Sequence, residues 1–460
     1  MSYIISIYIL YAFLLFIVNT AHINIPFIIQ DYTYGNEDAI ILKYIYKDIL
    51  VKFLVGSPSQ SVQLSANLGE YSTFIIPKNI EDFDDATYNS DLSHTYKALT
   101  STPETFLFQL YRSALKSQDD FIIEGTNTKI NNFVFNLVKD LNDNSFYCSY
   151  CEVLTQPGML GLSVAQMKNF EEDVYETNFI NQLKNKNLIS SYDFYFNFDS
   201  SNTGNIIFGS RPDELYQNEK NKEMNYVTMK TSALNRDLDW SIHFDQIYYG
   251  NIKMNQIKSM LLRIEFGLIS GYYEWENVLL NEYFSELIKD NKCFKKNTNA
   301  LGHYMHYFYC NKNTDLSGFK PFSFTINEFE YNFTLTRDDL FIDIGDKYLF
   351  LMVFGGINEL VLGLPFCKKY QLIFNPNTKT IGFYIDKKEN NNNLMTILRK
   401  YIIVIIILAC ILIGLMAIAI VFFKKKKKNK KNATELLDDI NNYNKKTEGN
   451  EIIDDNNNLN

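Results

Sequence analysis

The stretch Leu64-Ser65-Ala66-Asn67-Leu68-Gly69-Glu70-Tyr71-Ser72-Thr73-Phe74-Ile75-Ile76-Pro77 is an apolar strand, a turn closed by a glycine, and a second apolar strand. A similar order returns at Glu265-Phe266-Gly267. Each copy is followed, at nearly the same separation, by an apolar-apolar-Gly strand: Met159-Leu160-Gly161-Leu162 and Val361-Leu362-Gly363-Leu364. A strand glycine lets the backbone pass close against the turn. This faint repeat predicts two related halves, each built around one loop and one strand.

Around these motifs, short runs rich in Val, Ile, Tyr and Phe alternate with Gly, Asn and Asp. They read as strands at Ile41–Phe53, Phe106–Tyr111, Asn132–Val138, Tyr192–Phe198, Asn205–Phe208 and Leu372–Tyr384. Asp173–Leu188 and Trp275–Ile288 carry apolar residues at helical spacing. Many strands with few helices predict an all-β architecture. The chain has 460 residues and is 46% hydrophobic, enough for a large core or two medium ones. A net charge of −9 argues against a nucleic-acid partner.

Ile4–Val18 is almost unbroken apolar and ends in Asn19-Thr20-Ala21, so 1–21 reads as a signal peptide, or else a signal anchor. Tyr401–Phe423 is long enough to span a bilayer, and Lys424–Lys428 follow it. The lysines read as a stop-transfer signal or an anionic-lipid contact. The expectation is a single-pass type I membrane protein of the secretory or endolysosomal system or the cell surface. Its bulk would be lumenal or extracellular, with a disordered cytosolic tail over 424–460. In an oxidising lumen Cys148 with Cys151, and Cys293 with Cys310, are expected disulfides. Cys148-Ser149-Tyr150-Cys151 lacks the context of a redox motif. Cys367 is expected to be a buried thiol, and Cys410 falls inside the apolar span. Asn332-Phe333-Thr334 is a glycosylation sequon. The five histidines supply no zinc set, so neither metal nor cofactor is expected.

From about residue 40 to 388 the order of segments resembles the pepsin-like aspartic proteases. Lys52-Phe53-Leu54-Val55-Gly56-Ser57-Pro58-Ser59-Gln60 looks like the strand and turn before the first active-site loop. The Asn67 stretch resembles that loop, and Gly158–Leu162 the apolar-Gly turn. Trp240-Ser241-Ile242 to Gly250 looks like the opening of the C-terminal lobe. Leu360–Gly363 and Phe374-Asn375 to Gly382-Phe383 look like its last strands. The resemblance implies a bilobal acid-protease fold, with lobes over 22–215 and 216–390, and a cleft between them.

In that family each lobe supplies one aspartate, and the pair shares a proton because two close like charges cannot both ionise. Here the first position reads as Asn67 and the second as Glu265. An amide has no titratable proton. A glutamate is one methylene too long, which displaces its oxygens enough to cost on the order of 100-fold. The hydroxyl residues expected after each aspartate are Leu68 and Phe266, and the next hydroxyl positions are Glu70 and Leu268. Gly69 and Gly267 would line the cleft, and Tyr111 would sit on the flap. Arg112–Lys116 follows Tyr111 without the usual glycines. Leu364 replaces another family aspartate, and Asp343-Ile344-Gly345 reads as a surface turn. These readings imply a monomeric pseudoprotease that binds an extended peptide or partner protein in the interlobe cleft. The alternative is an active endopeptidase using Glu265.

Overall fold

The computed structural model describes residues 21–31, 41–45, 47–78, 80, 87–105, 111–126, 128–141, 158–164, 176–200, 202–216, 222–229, 239–254, 259–300, 303–355, 360–386 and 436–442. Strand Ile23–Asp31 shows why the chain enters a sheet. Ile23, Ile25, Phe27 and Ile29 point inward while the residues between them face solvent, the two-residue period of a half-buried strand. It pairs antiparallel with Thr203–Phe208 on one side and Lys47–Val55 on the other. On its far side Thr203–Phe208 pairs with Phe194–Phe198. That strand leads on through Ile373–Asn375 and Thr380–Asp386 to Lys222–Thr228. Apart from Lys47–Val55 these are six strands, drawn from the start, the middle and the end of the region 23–386. They tie residues 1–386 into one unit, and 387–460 form a second.

Two pieces of this architecture repeat. In the first, Gln60–Asn67 runs parallel to Gly158–Gly161. That strand is antiparallel to Phe74–Ile75, which is parallel to Lys129–Leu141. In the second, Ser259–Leu262 runs parallel to Val361–Leu362. That strand is antiparallel to Ile269–Gly271, which is parallel to Lys347–Phe354. The repeat expected from the sequence is thus a repeated topology. A small four-stranded sheet, Ile252–Lys253, Gln246–Tyr249, Phe322–Ile326 and Tyr331–Leu335, covers the second copy.

Trp240 is the packing node between the copies. It is fully buried, and its indole Nε1 donates to the Leu162 carbonyl of the first copy at 2.9 Å. Phe374 and Phe194 of the six-stranded layer meet its ring edge-on at 4.9 and 5.9 Å. Its own carbonyl accepts from Leu262 of the second copy at 2.7 Å.

Most expected elements match closely. Lys129–Leu141 contains the expected strand over Asn132–Val138. Leu372–Tyr384 becomes two strands joined by a turn. The helix over Trp275–Ile288 runs from Tyr273 to Lys289, with a wider turn at Leu280–Phe284. Of Asp173–Leu188, Phe179–Asn185 is helical, capped by the Asn178 side chain. Leu42–Ile45 is helical rather than strand, and Ile41 and Ile45 bury against Phe266 and Leu268. Burial of those isoleucines outweighs the β preference of the run.

Several expectations need correction. Among the described residues no helix is long and apolar enough to cross a membrane, and 401–423 lies outside them. The fold class therefore stands without a membrane span, and the type I membrane anchor and its lumenal localisation are set aside. The tail expected to be disordered over 424–460 carries an exposed helix over 436–442. Its Leu436, Leu437 and Ile440 recur at helical spacing. Residues 1–20 of the expected signal peptide lie outside the described residues, while the Ala21 carbonyl accepts from Ser190 at 2.8 Å.

Candidate functional site

The first loop begins where strand Gln60–Asn67 ends. Asn67 closes it with its own side chain: Oδ1 accepts from the backbone N–H of Gly69 at 2.7 Å and of Glu70 at 3.0 Å. A short polar side chain that captures its own downstream backbone fits this turn. The amide Nδ2 faces the Met159 sulfur at 3.7 Å. Gly161 passes against the returning chain so closely that a β carbon there would lie 2.5 Å from the Tyr71 carbonyl carbon. Gly363 has the same role in the second copy, at 1.9 Å from the Leu268 oxygen.

Glu70 is the next acid in the loop. Its Oε1 accepts from Tyr71 and Ser72, both at 3.0 Å. Burial pushes its carboxyl up to about 7, against the opposing pull of those two backbone amides. The folded state then holds this proton more tightly than the unfolded chain. Between its ordinary 4.5 and about 7 the folded state carries more protons, so stability falls as pH rises through that window. Melting is expected at a lower temperature at pH 7.5 than at pH 5, a difference of about 2 kcal/mol in stability. Glu70→Gln should flatten most of it. An unchanged pH profile in Glu70→Gln would remove Glu70 as the cause.

In the second loop the dominant feature is Arg263, which the sequence reading did not select. Its guanidinium makes a two-pronged pair with Asp239, with Nη1 2.8 Å from Oδ1 and Nη2 on Oδ2. Its Nε lies 3.6 Å from Glu265 Oε1. The head of Arg263 also covers the first loop: a β carbon on Gly69 would lie 3.0 Å from its Cζ and 3.2 Å from Asn67 Oδ1. The two loops do meet, and a guanidinium held by two carboxylates fills the junction. The only sequence signal was a charge inside the run Met260-Leu261-Leu262-Arg263-Ile264. Asp239 carried none.

Burial raises the Glu265 carboxyl. Arg263 and the backbone amides of Glu265 and Leu68 oppose that rise, and Asp239 adds to it. Glu265 Oε2 is buried without a hydrogen-bond partner among the described residues. Gly267 lies under the helix Leu42–Ile45. Its N–H donates to the Ile45 carbonyl at 2.8 Å, and a β carbon there would be 2.0 Å from the Tyr44 oxygen. Phe266 turns away from the loop junction into the cluster around Ile41 and Ile45.

Tyr111 opens the long strand Tyr111–Ile123, its backbone opposite Leu141. Its side chain and residues 106–110 lie outside the described residues. So do Cys148 and Cys151. Cys293 and Cys310 stand opposite each other on paired strands and form a disulfide. Cys367 is a buried free thiol whose burial raises it. Asn332 is exposed on the edge strand Tyr331–Leu335, where its Oδ1 accepts from Thr325 at 2.7 Å. No group of three or more metal-binding side chains occurs among the described residues.

The peptide or partner protein expected in the interlobe cleft is also set aside, since nothing among the described residues supports such a ligand. Behind the loops lies a void of about 10 Å³, lined by Leu68, Phe196, Ile264, Cys367, Leu372 and Phe374. That void has room for one water. The expected monomer is dropped with it, since the fold of one chain does not speak to association.

Paired strands bring two loops together from two copies of one topology, with a shared six-stranded layer beside them. This is the arrangement of the acid-protease class. The family described as Eukaryotic aspartyl protease matches residues 50–384, and the chain belongs to it. No curated protein matches this chain.

Proposed function

We propose that this chain is a non-hydrolytic member of the eukaryotic aspartyl protease family, in which the loops that carry Asn67 and Glu265 no longer supply the acid pair that the chemistry needs. Peptide hydrolysis by such a pair takes one carboxylate as general base for a water and a second, protonated, for the scissile carbonyl. Asn67 offers no proton to share, and its Oδ1 is committed to Gly69 and Glu70. One observation carries the reading: the Arg263 guanidinium bridges Asp239 and Glu265 at the junction of the loops. Two carboxylates held apart by a permanent cation do not share a proton.

The full chain is expected to leave denatured haemoglobin uncut between about pH 3 and 6, where protonation of carboxylates suits an acid pair. Cleavage that pepstatin blocks, and that Glu265→Ala abolishes, would sink the proposal. Asn67→Asp with Glu265→Asp should gain little activity, because Leu68, Phe266 and Arg263 are unchanged. Robust turnover in that variant would show that the supporting residues matter less than argued.

A second reading, an endopeptidase that uses Glu265 alone, has one observation in its favour. That carboxyl is buried and raised, and its Oε2 lacks a partner among the described residues, a state common in working acids and bases. The same haemoglobin assay separates the two readings.

A further inference from the structure

We infer that Arg263, and not Glu265, is the second loop's counterpart of Asn67, so that the centre of this fold is a guanidinium latch. The inference rests on the reading of the two loops as a degenerate acid-protease centre, and strand register carries it. In the first copy Ser65, Ala66 and Asn67 stand opposite Met159, Leu160 and Gly161. In the second, Leu261 and Leu262 stand opposite Val361 and Leu362, which brings the next residue, Arg263, beside Gly363.

The returning strands agree. Phe74 stands opposite Met159, and Ile269 opposite Leu362. Counting back along each antiparallel ladder places Ser72 beside Gly161 and Leu268 beside Gly363. The loop from Asn67 to Ser72 then has the same length as the loop from Arg263 to Leu268. With Glu265 as the counterpart, the second loop would be two residues short.

Burial gives a third, independent sign. The residues that follow, Leu68 and Ile264, are both fully buried and line the same void. Phe266, the residue after Glu265, lies in a different cluster. The sequence match was drawn to Glu265 by Gly267. That glycine is required for another reason, the close approach of the Tyr44 carbonyl.

The consequence is chemical. Arginine stays protonated throughout the working range of proteins and can serve neither as base nor as acid. In place of a water between two acids, the centre holds a carboxylate, Asp239, in a two-pronged pair.

The register can be tested by rebuilding the centre in the full chain. Asn67→Asp/Arg263→Asp/Asp239→Asn should place two carboxylates face to face and acquire a saturable rise in melting temperature with pepstatin at about pH 4.5, the acid range that favours a half-protonated pair. Asn67→Asp/Glu265→Asp should show no rise. A rise in the Glu265 variant but not in the folded Arg263 variant overturns the assignment. If the acid-pair protein does not fold, a histidine pair decides. Nickel should raise the melting temperature of Asn67→His/Arg263→His by a few degrees. It should not do so for Asn67→His/Glu265→His. Equal protection of both pairs, protection of neither, or the reverse order overturns the inference. Wild-type hydrolysis tests the proposed function separately, since none of these readouts depends on turnover.

Discussion

Trp240→Ala is expected to cost about 4 kcal/mol of folding stability. The side chain is fully buried between the two copies of the repeated topology. Its removal would leave a cavity against Phe194 and Phe374 and strip the Leu162 carbonyl of its indole donor. Collapse is restrained because three separate pieces of sheet meet there. Trp240→Phe keeps most of the apolar contact and loses the hydrogen bond, so its cost should be about 1–2 kcal/mol. Denaturant unfolding followed by intrinsic fluorescence measures both. A loss below about 1 kcal/mol for Trp240→Ala would mean that the interior relaxes around the site and that Trp240 is no node.

Arg263→Met should cost about 3 kcal/mol near neutral pH, because it leaves Asp239 and Glu265 together without their cation. Both carboxylates are mostly enclosed, with side-chain exposures of 21% and 18%. Breaking such a pair costs more than the pair contributed, since the surviving charges remain partly desolvated. The direction with pH follows from Glu265, whose carboxyl burial already raises. Without Arg263 it rises further, so at low pH it is neutral and the penalty shrinks. The variant should therefore be closest to wild type in acid and furthest from it above neutrality. Adding Asp239→Asn and Glu265→Gln to Arg263→Met should restore most of the stability. If the single variant loses nothing at any pH, the latch is a surface pair of little weight.

The family and the mostly-β architecture were legible in the sequence because they rest on local patterns. Alternating apolar residues, turn glycines and the two apolar-Gly strands each report on a few neighbours along the chain. The repeat of Met159-Leu160-Gly161-Leu162 at Val361-Leu362-Gly363-Leu364 was visible for the same reason. The disulfide between Cys293 and Cys310 was legible from a polar loop bracketed by two cysteines. The long apolar run at Tyr401–Phe423 was legible as composition; it lies outside the described residues, among which no helix is long and apolar enough to cross a membrane.

What the tertiary structure alone decided is the content of the centre. Asn67 could be picked out because the loop that uses it is local: its acceptors' donors, Gly69 and Glu70, are two and three residues away. Asp239 and Arg263 are separated by 24 residues and meet only because Ser241–His243 pairs with Ser259–Leu262. Register between strands, unlike periodicity within one, depends on every layer packed above and below it. Whether a charge inside an apolar strand is an error, a ligand or a latch is settled by what the opposing sheet places against it.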